Sequence, residues 1–224
     1  MSGVNDVERA VAEVRARIAA AAGRAGRNPA EVTLIGAAKT VDAVRVRDAV
    51  SAGVVDVGEN RAQELLEKAP LVPGARWHFI GHLQRNKVRA LAPWVTVWHS
   101  VDRDAAGTEI ARRAPGARVL VEVNLAREPQ KGGCEPDAVA GLVDRLRDAG
   151  LRVEGLMTVP PLGGDPRPWF AALRDLAGEV GVPELSMGMT DDFEAAVEEG
   201  ATMVRVGRAL FGERPVPTAP EARR

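Results

Sequence analysis

Val32-Thr33-Leu34-Ile35-Gly36-Ala37-Ala38-Lys39 is an apolar run that ends in a lysine. Directly after it, Val41–Ala52 has the spacing of an amphipathic helix stopped by Gly53, and Val54–Val57 is apolar again. A buried strand, a helix and a second buried strand make one βαβ unit, which pairs its strands in parallel. The unit recurs along the chain. Further strands are predicted at Trp77–Ile80, Val95–His99, Val119–Val123, Val153–Met157, Glu184–Met187 and Met203–Val206. Helices are predicted between them, over Asn60–Lys68, Gln84–Ala92, Asp104–Arg113, Pro136–Ala149, Pro168–Val180 and Asp191–Glu199, with Pro70, Pro93, Gly150 and Gly200 as stops. Ahead of the first strand, Val4, Val7, Val11, Val14 and Ile18 recur at helical spacing, predicting one additional N-terminal helix.

Eight strands, each followed by a helix or helical turn, predict an α/β fold. The expected form is a closed (β/α)8 TIM barrel with an additional N-terminal helix. About 180 residues for eight units is compact against the ~250 typical of such barrels. An open doubly wound sheet is the alternative, weakened because no G-x-G-x-x-G follows the first strand. Neither a linker nor a composition shift divides the chain, so residues 1–224 are taken as one domain. Residues 213–224, with three prolines, are expected to be a poorly ordered tail.

Composition narrows the function. With 30 Lys+Arg against 31 Asp+Glu the net charge is −1. That balance argues against a protein built to hold nucleic acid or an anionic membrane. A single cysteine, Cys134, rules out an intrachain disulfide and multi-cysteine zinc. No apolar run reaches the ~18–20 residues of a membrane span. Met1–Ala21 is charged throughout and has no signal-peptide core, so the cytoplasm is the default compartment. Tyrosine is absent, which removes phenol acid–base chemistry.

In a parallel barrel the chemistry gathers where strands end. The polar residues at the predicted exits are Lys39, Glu59 and Asn60, His82, Ser100, Asn124, Thr158 beside Met157, Ser186 with Gly188 and Thr190, and Arg205 with Gly207. Of the four lysines, Lys39 alone ends a buried strand; its alternative role is to pair with Glu59. A desolvated amine there is a nucleophile for carbonyl carbon. Lys68 is expected at a helix C-terminus, as a charge suited to the dipole. Leu185–Asp192 is a strand exit feeding a helix start, and Val204–Arg208 follows the last strand. Together they have the form of a phosphate grip. The alternative for Thr190 is a plain N-cap. Arg205 interrupts an apolar strand and needs an acceptor, either a carboxylate or an unprotonated ring nitrogen. His78 and His82 have H-x3-H spacing but no third ligand, so no metal site is assigned, and His78 is taken as a core residue. Cys134 has no paired base and is taken as incidental.

These residues resemble the pyridoxal-phosphate homeostasis proteins, single-domain relatives of the alanine racemase barrel (the fold-type III pyridoxal-phosphate barrel). The similarity runs from about residue 4 to 214. It is carried by Ala37-Ala38-Lys39-Thr40, Gly58–Glu64, Trp77–Gln84, His99-Ser100-Val101-Asp102, Val123-Asn124, Lys131-Gly132-Gly133, Gly155-Leu156-Met157-Thr158 and Leu185–Arg214. The resemblance implies pyridoxal 5'-phosphate (PLP) as cofactor, held as an internal aldimine on Lys39. It places Asn60, His82 and Met157 near the ring and Arg205 at the ring nitrogen. Ser186, Gly188, Met189, Thr190 and Gly207 would bind the phosphate, with the Arg208 guanidinium reaching it too. Three positions depart from the usual family pattern: Thr190 for Ser, Arg208 for Thr or Ser, and Ala38 for Ser.

The function so implied is a cytoplasmic carrier in vitamin B6 homeostasis that holds PLP without substrate turnover of its own. Its expected partners are PLP and PLP-dependent apo-enzymes, with neither nucleic acid nor membrane, and a monomer is the default. The alternative is a PLP-dependent amino-acid racemase. That chemistry needs a proton donor on each face of the substrate carbon. In the racemases the second donor is a tyrosine from another domain, and this sequence presents neither. A Schiff-base aldolase acting through Lys39 is a third, weaker alternative.

Overall fold

The computed structural model describes residues 2–212. The expected tail, 213–224, lies outside them. Helix α1 (Ser2–Arg24) is followed by β1 (Thr33–Ala37), α2 (Ala43–Ser51), β2 (Asp56–Glu59), α3 (Ala62–Lys68) and β3 (Arg76–Phe79). Next come α4 (Val88–Leu91), β4 (Val95–Val101), α5 (Asp104–Arg113), β5 (Arg118–Glu122), α6 (Val139–Asp148) and β6 (Arg152–Met157). The last turns are α7 (Arg167–Glu179), β7 (Glu184–Ser186), α8 (Phe193–Glu198), β8 (Met203–Val206) and α9 (Arg208–Phe211). The eight strands pair in sequence order, all parallel, and β8 closes on β1 with Thr33 opposite Met203 and Gly36 opposite Val206. The closed barrel and its N-terminal helix are the predicted fold; the open sheet is excluded by that closure.

Element boundaries move where a helix end claims a residue assigned to a strand. Val54 was expected to open the second strand, which instead begins at Asp56. The Val54 N–H reaches back to Ala49 O at 2.9 Å, and the Gly53 N–H to Val50 O at 2.9 Å. This is a Schellman closure, with Gly53 in the left-handed region at φ 89°. The backbone of Val54 therefore finishes α2 and cannot enter the ladder. The helix expected over Gln84–Ala92 splits into a 3-10 turn (Arg85–Lys87) and the short α4.

Outside the barrel, Val7, Val11, Val14 and Ile18 of α1 are buried in the shell core, and the helix packs on α2, α8 and α9. Arg17 braces this contact, bonding Glu194 at 2.9 and 2.8 Å and lying 4.5 Å over the Phe193 ring. Inside the barrel the side chains form two groups. Ile35, Val97, Leu120, Met157 and Met203 make an apolar plug. Asp56, His78, His99, Ser186 and Arg205 form a buried polar row. Space between strands is tight at Gly155 in β6, where an added Cβ would run into the backbone carbonyl of Glu184. Gly155→Ala should therefore cost about 1–3 kcal/mol, read as a lowered urea midpoint with an unchanged m-value.

Candidate functional site

The exits of β1, β2 and β3 are locked together before any ligand is considered. Lys39 follows β1 on its interior phase, two residues beyond Ala37 and four beyond Ile35 of the apolar plug. The turn it starts holds Thr40 at φ 65°, a strained conformation for a threonine. Two contacts keep that turn in place: Thr40 N–H donates to Glu64 Oε2 at 2.8 Å, and Lys68 Nζ donates to Ala38 O at 2.8 Å. Lys68 also bonds Glu59 at 2.5 Å and Glu64 at 2.9 Å and is buried. Lys68 ends α3, as expected, and from that helix end it also serves as an interior brace. Its stem lies within the β1–β2–α3 corner, where its charge meets two carboxylates.

That brace decides what Lys39 can do. Glu59 is fully buried, and burial pushes its carboxyl above the usual range against the pull of Lys68. Because Glu59 is committed to Lys68, the carboxylate that could have neutralised Lys39 is not available to it. The Lys39 amine makes no hydrogen bond or ion pair among the described residues. At the β2 and β3 exits, Gly81 lies so close to Asn60 that an added Cβ would overlap the Asn60 carbonyl. Ser100 Oγ in turn donates to Gly81 O. Asn60 is thus held at the rim, whereas His82 is exposed beyond it.

The opposite rim is built from β7, β8 and their loops. Gly207 packs against the end of β1; an added Cβ would lie 3.1 Å from Ala37 O. Gly188 adopts φ 92°, and a Cβ there would sit 2.6 Å from Ala196 Cβ and 2.9 Å from Phe193 Cα. Close packing thus holds both positions to glycine, Gly188 against α8 and Gly207 against the end of β1. Thr190 and Gly207 are partly exposed, and Arg208 pairs with Asp191. Two expected phosphate donors have other work. Met189 N–H donates to Asp192 Oδ1 at 2.6 Å. Ser186, fully buried, has its hydroxyl between His99 Nδ1 at 2.9 Å and Arg205 Nη1 at 2.6 Å. Met157 also lies deeper than the rim, in the apolar plug.

Arg205 is 4% exposed and has no ion-pair partner among the described residues. Its Nη1 donates to Ser186 and its Nη2 to Thr158 O at 2.9 Å. The carboxylate alternative is therefore set aside. Burial lowers its pKa to about 10, offset in part by Glu122 and Asp192, so it stays charged near neutrality. A fixed, charged guanidinium, an uncommitted amine and two glycine-lined backbone turns share one barrel mouth. This set suits a small phosphorylated aldehyde carrying an unprotonated ring nitrogen.

The sequence matches the family model described as "Alanine racemase, N-terminal domain" over residues 10–215. It is 44% identical to the pyridoxal phosphate homeostasis protein of Aquifex aeolicus, with 94% of this chain and 99% of that protein covered. The protein of the same name from Pseudomonas aeruginosa is 41% identical, over 91% and 94%. The chain belongs to the pyridoxal phosphate homeostasis protein family. PipY of Synechococcus elongatus PCC7942, solved with PLP bound, superposes with a TM-score of 0.81 at 32% identity, over 92% of this chain and all of that one.

Two features of this family member were not foreseen from sequence. His78 and His99 join the polar row, although only a chain already folded places residues from β3 and β4 in contact. Glu122, the last residue of β5, was passed over in favour of Asn124. It faces a recess of about 210 Å³ shared with Lys131 and Gly132. Burial pushes its carboxyl up to about 7, with Asp102 adding to the rise and Arg205 opposing it. Cys134, beside this recess, has its thiol pushed up to about 12 by burial, which leaves it inert as a nucleophile.

Glu122 carries a pH signature. Its folded-state pKa lies above the unfolded value near 4.3, so the folded chain binds that proton more tightly. The contribution is fully present below about pH 4.3 and is lost as the pH rises through about 7. Glu122→Gln should remove a loss of roughly 2–3 kcal/mol over that window. Urea unfolding of both proteins at about pH 5 and pH 8 measures it.

Proposed function

We propose that this protein binds pyridoxal 5'-phosphate at the barrel mouth, with Lys39 as the covalent attachment point, and holds the cofactor without turning over a substrate. The observation that carries the reading is the uncommitted Lys39 amine in the same mouth as Arg205, a buried guanidinium that forms no ion pair among the described residues. The bound cofactor supplies an aldehyde that condenses with an amine. The protein's part is to present that amine and to fix the ring and phosphate. Gly188, Thr190, Gly207 and Arg208 are the proposed phosphate residues, and Asn60 the ring-side neighbour. Ser186 and Met157 support the ring from below, the first through Arg205 and the second through the apolar plug. His82 is the proposed rim residue nearest to solvent.

The absence of turnover follows from the groups at the mouth. Arg205 stays protonated near neutrality and would donate to an unprotonated ring nitrogen, which would leave the ring a weak electron sink. The sequence has no tyrosine to act as an opposing base, and His82 is exposed at the rim. In the same reading the protein acts as a cytoplasmic monomer that passes PLP to apo-enzymes.

Purified protein should show visible absorbance that borohydride removes by fixing the cofactor to Lys39. Lys39→Ala should lack it; a variant that kept the chromophore would falsify the assignment. Incubation with L-alanine in deuterated water should give no fast exchange of the α-proton, and rapid exchange would identify a racemase instead.

A further inference from the structure

Asp56 and Arg76 are the first residues of β2 and β3, at the end of the barrel opposite the mouth. Arg76 donates to both Asp56 oxygens, from Nε at 2.8 Å and Nη2 at 2.6 Å. Asp56 Oδ1 also meets His78 Nε2 at 3.0 Å. His78 Nδ1 meets His99 Nε2 at 2.8 Å, and His99 Nδ1 meets Ser186 Oγ at 2.9 Å. Ser186 Oγ receives Arg205 Nη1. One unbroken hydrogen-bonded row therefore joins the far end of the barrel to the guanidinium at the mouth. His78, His99 and Ser186, its middle members, are each 3% exposed or less.

The chemistry of each group gives the row a direction. An ionised carboxylate only accepts, so His78 carries its hydrogen on Nε2. In the neutral ring its Nδ1 is then an acceptor, which puts the His99 hydrogen on Nε2. His99 Nδ1 accepts in turn from the Ser186 hydroxyl, whose oxygen lone pairs are left for Arg205. Every hydrogen along the row points toward Asp56. With Asp56 ionised, the opposite tautomer at either neutral ring would set two donors or two acceptors face to face. The electrostatics agree with this geometry. Burial, the largest cause, holds His99 well below its ordinary pKa. Burial opposes the charge on Asp56, but hydrogen bonds from His78 and Arg76 outweigh it and keep the carboxyl below its usual range.

We propose that Asp56, His78 and His99 are positioning residues for the cofactor site. The row anchored on Asp56 sets the hydrogen that Ser186 presents and so holds the Arg205 guanidinium at the mouth. This rests on the reading of the mouth as a PLP site. It goes beyond that reading in assigning part of the cofactor's environment to residues that do not touch it. The far end is accessible, since a cleft of about 430 Å³ lined by Arg15, Thr33, Gly53, Asp56 and Arg76 opens there to solvent.

Two measurements test the proposal separately from the cofactor assignment. The chain has three histidines, and exposed His82 serves as an internal reference. A two-bond ¹H–¹⁵N correlation spectrum of the ligand-free protein should show His78 and His99 as neutral Nε2–H tautomers between about pH 6 and 8. An Nδ1–H tautomer at either ring overturns the row, whatever the cofactor does. In the second measurement Asp56→Asn, titrated with PLP, should bind about tenfold more weakly and shift the visible absorption maximum. Arg76→Ala, altered only at the exposed end, takes its place should Asp56→Asn not fold. Unchanged affinity and absorption in the folded variant overturn the link to Arg205. A wild-type protein with the expected tautomers but no chromophore would instead sink the cofactor reading and, with it, the positioning role.

Discussion

A closed barrel of parallel strands must end every strand on the same rim. Closure comes from the pairing of β8 with β1, and it leaves no strand edge that could carry an exit elsewhere. Lys39, Asn60, Gly188 and Gly207 are spread over nearly 170 positions of sequence, yet all fall at that rim. Gly207 even packs on Ala37, so the last exit touches the first. The site is therefore a consequence of topology, and the loops need only be held still. Lys68 does much of that holding for Lys39. Its charge binds Glu59 and Glu64 while its amine also takes the Ala38 carbonyl. Removing one partner of such a buried pair leaves a charge without compensation, which is why brace and loop stand or fall together.

The interior solves a second problem, which is how to bury charge without ion-pairing it away. Arg205 stays charged near neutrality, and a neighbouring carboxylate would take up its hydrogens. The barrel instead gives it a hydroxyl and a carbonyl, Ser186 and Thr158. Glu122 and Asp192 act at longer range, and burial is felt by all three groups. The negative charge that directly anchors the row sits at the other end, on Asp56, with His78 and His99 between. Polar groups taken into a barrel interior are costly unless each is satisfied. The row meets that demand in a single file.

Much of the fold was legible in the chain because the alternation of buried strands and amphipathic helices is a local signal. Asp104–Arg113 and Met203–Val206 were bounded correctly for that reason. Val54 was misassigned because a helix-closing hydrogen bond outweighed its β-branched side chain. Lys39 and Arg205 were singled out because a charge inside an apolar strand is anomalous whatever lies around it. Strand-exit counting and the family resemblance both put Ser186 and Met157 at the mouth. Their depth is set by the stagger of neighbouring strands, which no single segment encodes.

The sequence by itself determined the barrel, the single amine at a strand end, the two glycine turns and the lack of a tyrosine. Each is a property of residue type and spacing within a few turns of chain. Only the tertiary structure decided which charges neutralise one another. It gave Glu59 to Lys68 and left Lys39 uncommitted, and it joined Asp56, His78, His99, Ser186 and Arg205 from five strands into one row. Those pairings depend on distances of about 3 Å between residues far apart in sequence, and such distances exist only once the barrel has closed.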